Sequence, residues 1–207
     1  MNHVIGFFPT PFMRVEQLID AALVAALAER FRTAAHIANA RSARLAHSDI
    51  LAPQADALLA QAGRLIAPKL ADFGELLFGE RLPWSIKEIW ANVLESGGHQ
   101  AMHNHANSFI SGVLYLTASD PSASTVFMKG PGGRDFSFSN ANPRTAMGPF
   151  NADKWVAPKI APGDMVLFPS YLFHEVPPNQ GGQRITLSFN AIPERLDSRG
   201  YSRGFSK

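Results

Sequence analysis

The sequence predicts an α+β fold that is mainly β, with helices in the N-terminal part packed on the outer face of a sheet formed by the rest of the chain. Three observations predict it. Apolar residues recur at helical spacing before residue 83. From Trp84 the chain breaks into short runs rich in β-branched and aromatic residues. One of those runs, 184–190, alternates strictly between polar and apolar side chains.

In order along the chain, a short apolar start, VIGFFPTPF, leads into a first helix expected from Val15 to about His36, with Leu18, Ile19, Leu23, Leu27 and Phe31 on one face. A second helix is expected to open near Pro53, a favourable first-turn residue, and to stop where Pro68 interrupts it. A third follows from about Lys69 to Phe78. Then come the strand-like runs WSIKEIWANVLE, FISGVLYLTA, STVFMKG, MVLFPSYLF and RITLSFNAI, divided by Gly, Pro, Asn and Asp. The stretch Lys129 to Lys154 shows no period and is dense in Gly, Pro and Asn, so it reads as a long loop, either a lid over a site or a tolerated insertion. The whole is expected to be one domain, with residues 1–83 as helical support, 84–192 as the β core and 193–207 as a C-terminal tail.

Composition narrows the function. The 207 residues are 46% hydrophobic and 17% charged, which suits a globular core and not a disordered chain. A formal charge of +2 gives no basic surface, so nucleic acid is not implied. The longest uncharged apolar stretch, AALVAALA at 21–28, is far too short to span a bilayer, and the first thirty residues lack a charged head before an apolar core. A cytoplasmic protein without a membrane partner is expected; oligomeric state is not legible. With no cysteine, thiolate nucleophiles and sulfur-held metals are excluded, and a metal would need His, Asp or Glu. No serine sits in a Gly-x-Ser-x-Gly elbow, which argues against nucleophilic hydrolysis.

The local feature richest in chemistry is HQAMHNHANS. In extended backbone His103 and His105 point to the same side and can converge on one ion, although paired surface histidines are also common. His174, in PSYLFHEVPPN, stands where an apolar strand meets a Pro/Asn turn. Ten residues later, Arg184, Thr186, Ser188 and Asn190 alternate with Ile185, Leu187 and Phe189. That polar row faces either water or the inside of a small barrel. In the second case Arg184 needs an anion, since its planar fork suits a carboxylate, and Thr186 shares its face. Three histidines for a metal and an Arg-x-Thr pair for an acid together ask for a metal enzyme with a carboxylate-bearing co-substrate.

At this point the sequence resembles a known family, the 2-oxoglutarate/Fe(II)-dependent dioxygenases, whose fold is a double-stranded β-helix, a cupin-like jelly roll. WANVLESGGHQAMHNHANSFISGVLYLT is similar to the strand, loop and strand around the first iron ligand in the aspartyl/asparaginyl β-hydroxylases and the prolyl hydroxylases. IAPGDMVLFPSYLFHEVPPNQGGQRITLSFN is similar to the region of their distal His and co-substrate arginine. FPTPF, HNHANSFISGVLYL and FPSYLFHEV resemble a group of uncharacterised bacterial and phage members of the superfamily.

The resemblance implies Fe(II), 2-oxoglutarate and O2 as cofactor and co-substrates, and hydroxylation of a C–H bond with release of succinate and CO2. It implies His103 and His174 as metal ligands, Arg184 and Thr186 on the far carboxylate of 2-oxoglutarate, and Tyr115 and Asn92 as further contacts to it. A strand tyrosine is ordinarily a packing residue, and that reading stays open for Tyr115. The sequence departs from the family at His105, which stands where the family has Asp or Glu. His105 is read as a third ligand, in an all-histidine trio that also suits zinc, or else as a bystander to a two-histidine site. Arg134 and Arg144 of the 129–154 loop are candidates for an acidic substrate. Two alternatives remain: a cupin-like metal enzyme that does not use 2-oxoglutarate, and a noncatalytic jelly-roll binding module. The substrate itself is not legible.

Overall fold

Two carboxylates set the starts of the helices. Asp20 accepts a hydrogen bond from the Leu23 N–H (2.8 Å) and Asp56 one from the Leu59 N–H (2.9 Å), each satisfying a donor that the first turn leaves unpaired. In the computed structural model, which describes residues 3–34, 36–130, 140 and 142–205, helix α1 therefore runs Ala21–Thr33 and α2 runs Ala57–Phe78. The first helix is shorter than the apolar pattern suggested. Its predicted first residue, Val15, belongs instead to a strand, β1 (Met13–Val15).

The expected break at Pro68 does not occur. The buried stripe of α2, Leu59, Ala62, Ile66, Leu70 and Phe73, continues through it, so the second and third expected helices are one. Pro68 and Arg64, whose carbonyl loses its partner, both lie on the exposed side, where water can replace the missing bond. Gly79, at φ 71°, closes the helix in the left-handed conformation and donates its N–H to the Glu75 carbonyl.

The remaining chain builds two antiparallel sheets. The major sheet has the order β1, β9 (Met165–Pro169), β6 (Ile110–Tyr115), β11 (Arg184–Pro193), β4 (Trp84–Leu94), β3 (Leu45–His47) and β2 (Ile37–Ala38). The minor sheet has the order β5 (Gln100–His103), β10 (His174–Val176), β7 (Val126–Met128) and β8 (Lys154–Val156). A hairpin, β12 (Arg195–Ser198) with β13 (Tyr201–Gly204), follows. This is the expected mainly β jelly roll. The N-terminal region, read from the sequence as helical support, also adds three short strands to the edges of the major sheet.

The alternation in β11 divides the two faces as expected. Ile185, Leu187, Phe189 and Ala191 point outward and join Leu27, Phe31, Leu59, Ile66, Leu70 and Phe73 of the helices in one core. Each of these buried Leu, Ile and Phe side chains contributes about 1.5–3 kcal/mol of transfer free energy. Two glycines permit the close approach of layers. A Cβ at Gly74 of α2 would overlap the Trp84 indole, and one at Gly112 of β6 would overlap the ring of its cross-strand partner Phe189. The other face of β11 turns toward the minor sheet, and the site lies between them.

The described part of the 129–154 stretch carries no strand before Lys154, in keeping with a loop. Residues 131–139 and 141, and with them Arg134, lie outside the described residues.

Candidate metal and co-substrate site

Pairing of the two minor-sheet strands β5 and β10 sets His103 directly opposite His174. His105 follows the end of β5, outside the strand, and is held there by its backbone N–H, which donates to the Ser170 carbonyl (3.0 Å). The three rings converge. Their centroids are 4.3 Å (His103–His174), 5.1 Å (His103–His105) and 5.2 Å (His105–His174) apart, and one nitrogen from each lies within 4.8 Å of the others.

Hydrogen bonds orient two of them. His103 Nδ1 sits 2.8 Å from the Ala101 carbonyl and His174 Nδ1 2.9 Å from the Leu172 carbonyl. A carbonyl can only accept, so both rings carry their proton on Nδ1 and keep the Nε2 lone pair for another partner. The Gln100 side-chain amide lies 3.3 Å from His103 Nε2, as a donor to that lone pair would.

Burial keeps the trio neutral. Burial first and His103 second push the His174 imidazole down to about 3, and the same two causes push His105 down to about 4. Burial lowers His103 as well, against its bond to the Ala101 carbonyl. His174 is buried and His103 and His105 half-buried; neutral, converging imidazoles are the donor set a divalent metal such as Fe(II) or Zn(II) takes, so the residues fit a metal ion.

Facing them across the cavity is the polar row of β11. Register places Thr186 beside both Asn92 of β4 and Tyr115 of β6. Arg184 is 4% exposed; its Nε donates to Ser119 Oγ (3.1 Å), and its guanidinium carbon stands 5.1 Å from the centre of the Tyr115 ring. Among the described residues no carboxylate pairs with it. A buried guanidinium without an anion is costly and marks a place for one.

The cavity wall includes Asn92, His103, His105, His174, Arg184 and Thr186. Tyr115 is the exception: it flanks Arg184 from an adjoining pocket, with its hydroxyl 3.4 Å from Thr125 Oγ1. A wider cleft of about 590 Å³, between α2 and the outer ends of β4 and β11, contains none of the predicted site residues.

Several neighbours of the site were not assigned from sequence. Ser119 supports Arg184. Ser188 accepts from the Asn92 amide (2.9 Å). Ser111, Asn190 and Glu88 form a hydrogen-bonded chain that reaches His105. A signal for Glu88 existed, since it shares a strand face with Trp90 and Asn92 at spacing two.

A family model described as "Putative 2OG-Fe(II) oxygenase" matches residues 88–190, a span that holds every predicted site residue. No curated protein matches the chain in sequence. Among solved structures, HygX from Streptomyces hygroscopicus with nickel and 2-oxoglutarate bound is 14% identical, with a TM-score of 0.65, over 89% of this chain and 83% of that one. The epimerase SnoN from nogalamycin biosynthesis is 16% identical, with a TM-score of 0.62, over 90% and 80%. A Pseudomonas putida prolyl-4-hydroxylase is 19% identical, with a TM-score of 0.60, over 87% and 92%. At these identities the likeness speaks for the double-stranded β-helix fold. Taken with the family match over residues 88–190, that fold makes the chain a member of the 2-oxoglutarate/Fe(II)-dependent oxygenases.

Proposed function

We propose that this chain binds Fe(II) in the pocket of His103, His105 and His174, anchors 2-oxoglutarate on Arg184, and hydroxylates a C–H bond of a small molecule or a side chain. The observation that carries the proposal is the buried Arg184, paired with no carboxylate among the described residues, lining the same cavity as three neutral imidazoles. Bound iron with 2-oxoglutarate and O2 supplies the oxidation of an unactivated C–H, with succinate and CO2 as co-products.

The chain's own residues divide the remaining work. His103 and His174, with Nδ1–H fixed on backbone carbonyls, offer Nε2 to the metal. Arg184 takes the far carboxylate of 2-oxoglutarate in a bidentate grip, with Thr186 donating its hydroxyl beside it. Asn92 presents its amide in the same row, and the Tyr115 ring packs against the guanidinium. Phe168 and Val113 line the cavity with apolar surface that keeps water from the reacting atoms. The 129–154 loop, through Arg144, is the candidate lid toward substrate.

HygX has been solved with hygromycin B bound and SnoN with nogalamycin RO, which supports a small molecule as the substrate class. No helix among the described residues is long and apolar enough to cross a membrane. Absence of cysteine suits work in the reducing cytoplasm, within a single domain. A cupin-like enzyme without 2-oxoglutarate would leave Arg184 buried with no anion, which disfavours that alternative.

The test is succinate release. Iron-loaded protein given 2-oxoglutarate in air should form succinate slowly without added substrate, and His174→Ala should not. Iron-loaded protein that neither binds 2-oxoglutarate nor releases succinate would remove the proposal and favour a noncatalytic module.

A further inference from the structure

The three histidines are not equivalent, and the chain behind His105 shows why. Asn190, 2% exposed, accepts from the Ser111 hydroxyl through Oδ1 (2.7 Å) and donates from Nδ2 to a Glu88 carboxylate oxygen (2.7 Å). An ionised carboxylate has no proton to give, so this pair fixes which way the amide points. Turned over, Asn190 would set its own oxygen against the Glu88 oxygen.

In the fixed orientation the NH2 group also faces His105 Nδ1, at 3.4 Å. An amide nitrogen can only donate, so His105 Nδ1 must accept, and the ring of a neutral imidazole then carries its proton on Nε2. His103 and His174 are set the opposite way, by carbonyls that accept from Nδ1. The Trp90 indole, 5.6 Å from the His105 ring, holds the imidazole from a further side.

Resting on the metal-pocket reading above, we infer that His105 is not a third metal ligand but an Nε2–H donor aimed at the pocket, held in that role by Glu88 and Asn190. The metal then has two protein ligands. The position that a carboxylate would fill is left to an exogenous oxygen ligand, water or a carboxylate, which His105 steadies by donating to it. Glu88 and Asn190 are positioning residues, acting through His105. The substitution of His for the family's acidic residue is thus matched by the groups behind it: an amide donor and a carboxylate, where a ligating His105 would need a hydrogen-bond acceptor at Nδ1.

Cobalt(II) titration of the full chain tests this without turnover. Affinity is read by competition with a chromophoric chelator, and ligand field by the visible Co(II) spectrum. His103→Ala and His174→Ala should each weaken Co(II) binding by about 100-fold, the size expected when a metal-site group is lost, while His105→Ala stays within about threefold of wild type. His105→Gln, which keeps an N–H donor, is the second variant if His105→Ala folds poorly, and should retain the wild-type Co(II) spectrum.

Glu88→Gln/Asn190→Asp sets a carboxylate, which can only accept, against His105 Nδ1, with the introduced glutamine amide donating to it, so the imidazole proton moves to Nδ1 and Nε2 is freed. Co(II) affinity should then rise about tenfold with a changed spectrum, and both changes should vanish when His105→Ala is added. Loss of Co(II) in His105→Ala equal to that in His174→Ala would overturn the inference and leave the metal pocket standing. So would a Glu88→Gln/Asn190→Asp spectrum identical to wild type. A wild-type chain that holds no Co(II) would sink the metal pocket itself and the inference with it.

Discussion

Replacing Arg184 with methionine should move two quantities in opposite directions. The guanidinium is 4% exposed and has, within the described residues, one hydroxyl and one aromatic face for company. A bidentate grip on a carboxylate comprises two charge-assisted hydrogen bonds, each worth about 1.5–3 kcal/mol. Their loss at the low end, about 3 kcal/mol, weakens 2-oxoglutarate binding by roughly 150-fold.

The same change removes a buried charge that pairs with no carboxylate among the described residues. Methionine fills similar volume without that cost, so the ligand-free variant should melt at or above the wild-type temperature. Wild type in 2-oxoglutarate at a hundred times its Kd gains about 2.7 kcal/mol, and the variant should gain almost none at that concentration. Anaerobic calorimetric titration of the Fe(II)-loaded proteins, with melting curves run with and without 2-oxoglutarate, reads both. Co-substrate affinity within threefold of wild type would refute the reasoning, as would severe destabilisation of the ligand-free variant, which would make Arg184 a structural charge.

Three further outcomes follow from the geometry. Burial holds His174 near 3 and His105 near 4, below the ordinary 6.5, and lowers His103, so the folded chain binds fewer protons than the unfolded chain across that interval. Stability of the metal-free protein should be fully present above about pH 6.5 and decline as pH falls toward 4, a slope that His174→Leu makes shallower in denaturant unfolding; flat stability from pH 7 to 5 would contradict it. Asp164 accepts from Arg14 Nη2 (2.7 Å) and from the Gln17 and Ala161 N–H groups; burial alone would raise its pKa, and these bonds hold it below the carboxylate range. Asp164→Asn should cost about 3 kcal/mol in urea unfolding by breaking the tie between β1 and β9, and a loss under 1 kcal/mol would show that tie to be unimportant. Gly112→Ala, whose Cβ would overlap the Phe189 ring, should cost about 1–3 kcal/mol through overpacking, and an unchanged urea midpoint would mean that the helix layer yields freely.

What could be read in advance follows from where the physical signal resides. The two-residue period of β11 specifies a face, so its polar row and apolar row could be assigned to opposite sides before any contact was known. Likewise the helical stripes announced what covers the apolar row. Helix ends were misplaced because the apolar period outruns the helix: the run starts near Val15, but the cap is Asp20. Pro68 was overread because the cost of a helical proline depends on whether the freed carbonyl meets water, which is a tertiary fact.

At the site, the types His103, His105, His174 and Arg184 were conspicuous by chemistry, but their convergence depends on the pairing of β5 with β10 across more than seventy residues. The roles of Ser119 and Ser111 had no such signal, and Glu88 had only its shared strand face with Trp90 and Asn92. A serine or glutamate in a strand is ordinary until a cross-strand partner makes it a support. His105 shows the limit most sharply: its identity is plain in the sequence, whereas which nitrogen carries its proton is decided by Asn190, eighty-five residues away.

The central claim is that one cavity joins an iron-binding imidazole pocket to a carboxylate-binding arginine. Visible absorption during anaerobic titration of the Fe(II)-loaded chain with 2-oxoglutarate tests it most directly. The account predicts a weak charge-transfer band that saturates with the co-substrate in wild type, needs far more of it in Arg184→Met, and is absent in His174→Ala. A fully iron-loaded wild-type chain that develops no band, or a band that forms in Arg184→Met at wild-type concentrations of 2-oxoglutarate, would contradict it.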